Sequence, residues 1–197
     1  MARICVFCAS SLRIDPRYVE LAAEVGAAIA SRGHDLVSGG GSVSMMGAVA
    51  QAVRDGGRHT IGVIPQALLD REVADHDSDE LVVTPDMRSR KARMDSEADA
   101  FLTLPGGIGT LEELTEVWTA ATLGMHAKPV VVLDPTGVFG PLRELIGSLT
   151  AAGFLSDEAA GALVWTASVD EALTAIETGL GSSRTTPTLT DQVESAP

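Results

Sequence analysis

Short, wholly apolar runs alternate along the chain with longer stretches whose apolar residues return every three or four positions. Residues 3–8 (Arg-Ile-Cys-Val-Phe-Cys) form the first such run. Leu36–Val37, Thr60–Ile64, Leu81–Val83, Ala100–Leu104 and Val130–Leu133 follow it, and a last strand and helix fall near 162–178. Runs this short, bounded by Gly and Pro, predict buried strands. Asp15-Pro16 opens a helix through Arg32, with Val19, Ala22, Ala23 and Ile29 inward and Gly33 as its stop. Further helices are predicted over 44–54, 87–97 and 139–151. Another begins after Gly109, with Leu111, Leu114, Val117 and Ala121 on one face. Residues 70–80 are polar and acidic and predict a loop. Strands without polar alternation are buried on both faces. The order therefore predicts an α/β protein, a Rossmann-like, doubly wound parallel sheet with helices on both faces in a single domain. That domain is drawn at 1–178. Residues 179–197, rich in Ser, Thr and Pro and without periodicity, predict a disordered C-terminal tail.

Ligands of such sheets bind beyond the carboxyl ends of the strands. Three polar or glycine-rich segments fall at those ends: Ala9-Ser10-Ser11, Gly39–Gly47 and Gly106–Thr110. In the last, a strand ends at Pro105 in the turn Gly106-Gly107-Ile108-Gly109 and a helix starts. Backbone N–H groups and the helix dipole can hold a phosphate there. The spacing is neither the G-x-G-x-x-G nor the G-x-x-x-x-G-K-[ST] fingerprint. A second reading stays open, because Thr110 and Glu113 have the T-x-x-E spacing of a capping box, which would simply start the helix. Glu112 and Glu113, adjacent in the first turn, would repel a bound anion, and that favours a chemical task for one of them.

Composition narrows the classes. The 197 residues are 45% hydrophobic and carry a net charge of −13, which excludes an electrostatic grip on nucleic acid. Against that background Arg88, Arg90, Lys91 and Arg93 crowd into six residues. They read as an anion-binding cluster rather than a solvated helix face, with Arg88 and Arg93 assigned to the surface. Cys5 and Cys8 have no second His/Cys cluster and read as buried free thiols. His34, His59, His76 and His126 lack metal-ligand or triad spacing, so neither a metal nor a cofactor is expected. Met45, Met46, Met87 and Met94 read as core. No leader pattern and no apolar run of about 18 residues is present, and the expectation is a cytoplasmic protein without a membrane partner.

Pro105-Gly106-Gly107-Ile108-Gly109-Thr110-Leu111-Glu112-Glu113 resembles the P-G-G-x-G-T-x-x-E signature of the Lonely Guy family, cytokinin riboside 5′-monophosphate phosphoribohydrolases once labelled lysine decarboxylases. Met87–Met94 is similar to that family's M-x-x-R-K-x-x-M, and Gly39–Gly47 to its G-G-G-x-x-G-x-M-G. The three stand in the family's order, and the likeness runs from Ile4 to about residue 178.

The resemblance implies hydrolysis of the N-glycosidic bond of N6-modified adenosine 5′-monophosphates, with Arg90 and Glu113 as catalytic residues. It implies substrate contacts at Glu72, Lys91, Gly107, Ile108, Gly109, Thr110, Leu111, Glu112 and Thr119, and a homodimer or higher even oligomer. Ser44, Ala9 and Ile108 depart from the family pattern without touching the Arg90/Glu113 pair, and Ser44 and Ala9 bear on base specificity rather than on the reaction. The alternative is a non-catalytic carrier of a nucleotide or phosphorylated cofactor, which would not need Glu113 beside Arg90. A pyridoxal-phosphate decarboxylase is rejected, since Lys91 and Lys128 are the chain's only lysines.

Overall fold

The alternation of side chains along β1 (Arg3–Phe7) sets up two cores. Ile4, Val6 and Cys8 enter one, Cys5 and Phe7 the other. The same division repeats in β5 (Ala100–Thr103), where Ala100 and Leu102 oppose Phe101, and in β6 (Val130–Leu133), where Val131 and Leu133 oppose Val130 and Val132. A strand buried on both faces has no polar side to present, which is why these runs are continuously apolar. The computed structural model describes residues 1–69 and 74–183.

The other strands are β2 (Asp35–Ser38), β3 (Thr60–Pro65), β4 (Glu80–Thr84) and β7 (Leu163–Thr166). The pairings between these strands are parallel, in the order β4-β3-β2-β1-β5-β6-β7. Helices α1 (Pro16–Ser31), α2 (Ser44–Asp55) and α8 (Val169–Ser183) cover one face. Helices α4 (Met87–Glu97), α5 (Ile108–Thr122) and α6 (Gly140–Ala151) cover the other. This is the doubly wound, Rossmann-like sheet that the apolar runs predict. Strand order reverses between β1 and β5, so the crevice for a ligand opens where Phe7 pairs with Thr103.

Two short helices go beyond the sequence reading, α3 (Gln66–Leu69) and α7 (Asp157–Gly161). Helix α7 starts where the Ser156 hydroxyl accepts the Ala159 N–H. Helix α8 also runs to Ser183, so residues 179–183 are helical rather than tail. Gly179 lies against Pro129, closely enough that an added Cβ would strike the proline ring, and Leu180 continues the apolar face of Leu173 and Ile176 onto the core. The rest of the predicted tail, 184–197, lies outside the described residues. Cys5 and Cys8 are free and buried in opposite cores. Burial pushes both thiols up from their ordinary range, so neither is a thiolate at neutral pH.

Gly26 of α1 marks the tightest helix crossing, where an added Cβ would meet the Val49 carbonyl and stand 2.8 Å from Ala52 Cβ on α2. Gly147 of α6 faces open space. The same substitution should therefore act with opposite sign at the two sites. Gly147→Ala is expected to stabilise by about 0.5–1 kcal/mol through helix propensity. Gly26→Ala is expected to destabilise by about 1–3 kcal/mol through overpacking. Urea unfolding of the two variants checks this, and a stabilised Gly26→Ala would contradict the crossing.

Candidate active site

Helix α5 begins three residues before the capping-box spacing places it. Gly107 is its N-cap, without a side-chain cap bond, and the first intrahelical hydrogen bond runs from Leu111 N–H to Gly107 O at 3.0 Å. Thr110 is consequently the third helical residue, buried rather than capping, with its side chain tucked under Gly106. An added Cβ at Gly106 would lie 2.6 Å from Thr110 Cβ, so the turn needs a glycine there. The N–H groups of Ile108, Gly109 and Thr110 have no intrahelical acceptors and open at the crevice between β1 and β5. Ile108 itself is 89% exposed.

Behind this turn sits Arg90 of α4, only 6% exposed. Its Nε donates to Val63 O at the end of β3 (3.0 Å) and its Nη2 to Gly39 O beyond β2 (3.1 Å). Its Nη1 donates to Glu113 Oε1 (3.3 Å). Gly39 is a glycine for this reason, since a Cβ would collide with the guanidinium and sit 3.1 Å from Met46 Sδ. Sequence reading counts Gly39 among ligand-turn glycines; packing gives it a second task. Burial raises the Glu113 carboxyl from the usual 4.5 to about 7, although Arg90 opposes the shift; neighbouring Glu112 adds to it. The guanidinium divides its donors among two carbonyls and the carboxylate, so it does not overcome desolvation.

Lys91, next to Arg90, turns the other way. Its Nζ is held by Glu112, an interaction that raises its pKa, and by Glu116 at 2.5 Å. A cavity of about 790 Å³ lies along α4 and α5, its rim formed by Arg88, Lys91, Asp95, Glu112, Glu113 and Glu116. Its apolar lining comes from buried Phe7, Met94, Phe101 and Val117 with His126, and from exposed Leu123 and Met125 at its edge. His126 Nδ1 accepts the Lys128 N–H at 3.2 Å and Nε2 lies 3.0 Å from Val117 O, which makes the ring a neutral Nε2–H tautomer. Burial lowers its pKa further. It stands tilted against Phe101, ring centroids 5.4 Å apart.

The expected residues thus fall into groups. Arg90 and Glu113 meet directly, while Lys91, Glu112, Glu113 and Thr119 line the cavity. Gly107, Ile108, Gly109 and Thr110 form the helix start, and Leu111 packs on the core beneath it. Glu72 lies outside the described residues. Arg88 and Arg93 are exposed; Arg88 joins the cavity rim and Arg93 pairs with Glu97 at 2.6 Å. Met94, Phe101 and His126 were not singled out as site residues by sequence, because a strand aromatic and a loop histidine read there as core and surface. Met87 is 43% exposed, unlike the buried Met45, Met46 and Met94. Among the described residues no cluster of three or more His, Cys, Asp or Glu is arranged to hold a metal ion.

Comparison with known proteins shows which family this chain resembles. Residues 46–176 match the protein family described as "Possible lysine decarboxylase". A cytokinin riboside 5′-monophosphate phosphoribohydrolase of Mycobacterium marinum is 52% identical over 176 residues, covering 89% of this chain and 94% of its own. The Mycobacterium tuberculosis protein of that name is 52% identical, covering 87% and 91%, and one from Arabidopsis thaliana is 46% identical, covering 89% and 82%. Among solved structures, a molybdenum cofactor carrier protein of Chlamydomonas reinhardtii superposes with a TM-score of 0.67 at 23% identity, over 91% of this chain and 98% of its own; this shows a shared fold. A family match over residues 46–176 and relatives at about half identity over most of both chains show that the chain belongs to the Lonely Guy family that its signature segments resemble.

Proposed function

We propose that this chain hydrolyses the N-glycosidic bond of nucleoside 5′-monophosphates, N6-modified adenosine 5′-monophosphates in particular, releasing the free base and ribose 5-phosphate. The observation that carries the reading is a buried carboxylate on a rigid helix, paired with a buried arginine, directly behind a helix start with open N–H groups. The relatives' names supply the substrate class.

Water adds its oxygen to the anomeric carbon, the bond from that carbon to the base nitrogen breaks, and the water's proton ends on the departing base. The sugar passes through an oxocarbenium-like state that an adjacent carboxylate stabilises. Glu113 supplies that charge, and with a pKa near 7 it can also take the proton from water and return it. The 5′-phosphate sits on the N–H groups of residues 108–110, because Lys91 is already committed to two carboxylates. A dianion would be repelled by the acidic cavity rim. The uncharged base, with an apolar N6 substituent, fits the floor of Phe101, Met94 and His126. We place the protein in the cytoplasm; no described helix is long and apolar enough to cross a membrane.

The assembly is a homodimer through the α4–α5 face, where Ile108, Leu123 and Met125 are 89%, 67% and 75% exposed beside the cavity. Light scattering should give about twice the 20.4 kDa of one chain, and Leu123→Asp with Met125→Asp should return the mass to one chain. A monomeric wild type would refute this assembly.

Chromatography of base released from isopentenyladenosine monophosphate, AMP and adenosine tests the activity. Release from a monophosphate but not from adenosine is expected, with Glu113→Gln and Arg90→Ala each lowering kcat about 10²–10⁴-fold. Because the ionised carboxylate is required, kcat/KM should rise through about pH 7. Nucleotide bound but never cleaved would favour the carrier alternative.

Stability should move oppositely. Glu113 holds its proton more tightly folded (about 7) than unfolded, where the value is near 4.5. Between these values the folded state binds more protons, so wild-type stability falls as pH rises through that window, by at most about 3 kcal/mol. Glu113→Gln lacks this loss. Its unfolding free energy relative to wild type should therefore climb between pH 5 and pH 8, and a flat difference would mean the carboxyl is not strained by burial.

A further inference from the structure

Ser44 is the one non-glycine among the described residues whose backbone turns left-handed, at φ 55°. The other positive-φ positions, such as Gly33, Gly40 and Gly57, are all glycine. A residue with a Cβ is strained in that region and persists there only where its surroundings hold it. Here the side chain has a specific use. Ser44 Oγ donates to Ser11 O at 2.7 Å, across 33 residues. The hydroxyl does not cap its own helix, since the N-cap of α2 is Val43, without a side-chain bond.

The segment it reaches, residues 9–14, leaves β1 at the carboxyl end of the sheet, where strand order reverses. Ala9 and Ile14 pack on the core at its two ends, and the stretch between them is less anchored. Ser11, Leu12 and Arg13 are exposed, Leu12 at 79%, and the Ser11 hydroxyl is spent locally on the Arg13 N–H at 3.2 Å. Of the hydrogen bonds described for residues 9–14, the one from Ser44 is the one that reaches another element.

We propose that Ser44 is a positioning residue for the nucleotide site: its strained backbone aims a hydroxyl that latches the Ser10–Ser11 segment beside the glycine turn and so pre-orders one wall of the crevice. This rests on the nucleotide reading given above. Pre-ordering acts on binding, because a wall that must be fixed when the ligand arrives costs affinity. It leaves the Arg90–Glu113 pair untouched.

Two variants separate positioning from mere structural support. Ser44→Ala loses the hydroxyl and keeps the strain; Ser44→Gly loses both. A structural role alone predicts a lower Tm for Ser44→Ala, recovery in Ser44→Gly, and unchanged affinity in each. Positioning predicts a Kd for AMP raised about five- to tenfold in both, whatever the Tm, measured by calorimetry in the Glu113→Gln background so that no substrate is consumed. It also predicts amide exchange over residues 9–14 accelerated at least about fivefold without nucleotide. An affinity in Ser44→Gly within twofold of its parent, or unchanged exchange, overturns the proposal. AMP failing to bind the wild-type chain overturns the nucleotide reading itself, and the exchange comparison then decides separately whether Ser44 latches the segment.

Discussion

One buried guanidinium holds the carboxyl edge of the sheet together. Arg90 reaches the end of β3 through Val63 O, the turn after β2 through Gly39 O, and helix α5 through Glu113. Three segments distant in sequence therefore share one donor group, and the glycine at position 39 exists to admit it. A buried charge without partners is costly; here two carbonyls and a carboxylate satisfy it, at geometries that a neutral side chain would not reproduce. Because two of its three nitrogens donate to the carbonyls, the carboxylate is only partly neutralised. The pair is thus asymmetric: a fixed cation serving the fold, and a titratable acid left near neutrality for chemistry.

The surrounding charges follow from that asymmetry. Four cations lie within six residues of α4, yet they do not act as one basic patch. Arg90 is buried and Lys91 is bridged to Glu112 and Glu116. Arg93 pairs with Glu97, and Arg88 is left at the cavity rim. An acidic chain can still accept an anion on the proposed reading because the groups that would meet it are backbone N–H donors at a helix start. Phosphate and base are then separated by chemistry, polar backbone at one end and aromatic floor at the other.

Most of the fold was legible because its signals are local. The apolar runs that become β1, β5 and β6 are buried on both faces, and Pro marks the ends of the last two. The readings that slipped depended on contacts. Thr110 and Glu113 have capping-box spacing, but the backbone turns helical at Ile108, and Thr110 is drawn beneath Gly106 instead. Helix α8 runs past residue 178, with Leu180 packed on the core one turn beyond Ile176. Phe101 and His126 gave no sign of being cavity floor, since an apolar strand position looks the same whether a helix or an open cleft lies above it.

The sequence by itself determined the order of strands and helices, the glycine turns at the strand ends, and the local crowding of cations on one helix and carboxylates on another. These depend on spacing and on residue type. It also carried, through resemblance to a family signature, the choice of Arg90 and Glu113. What only the tertiary structure decided is why those two. Successive residues of a helix point about 100° apart, so Arg90 and Lys91, like Glu112 and Glu113, diverge onto different faces. The docking of α4 against α5 over the sheet selects the face that is buried. That burial turns one of two adjacent glutamates into an acid poised near neutral pH, an outcome set mainly by desolvation of Glu113, with the charge of adjacent Glu112 adding to it.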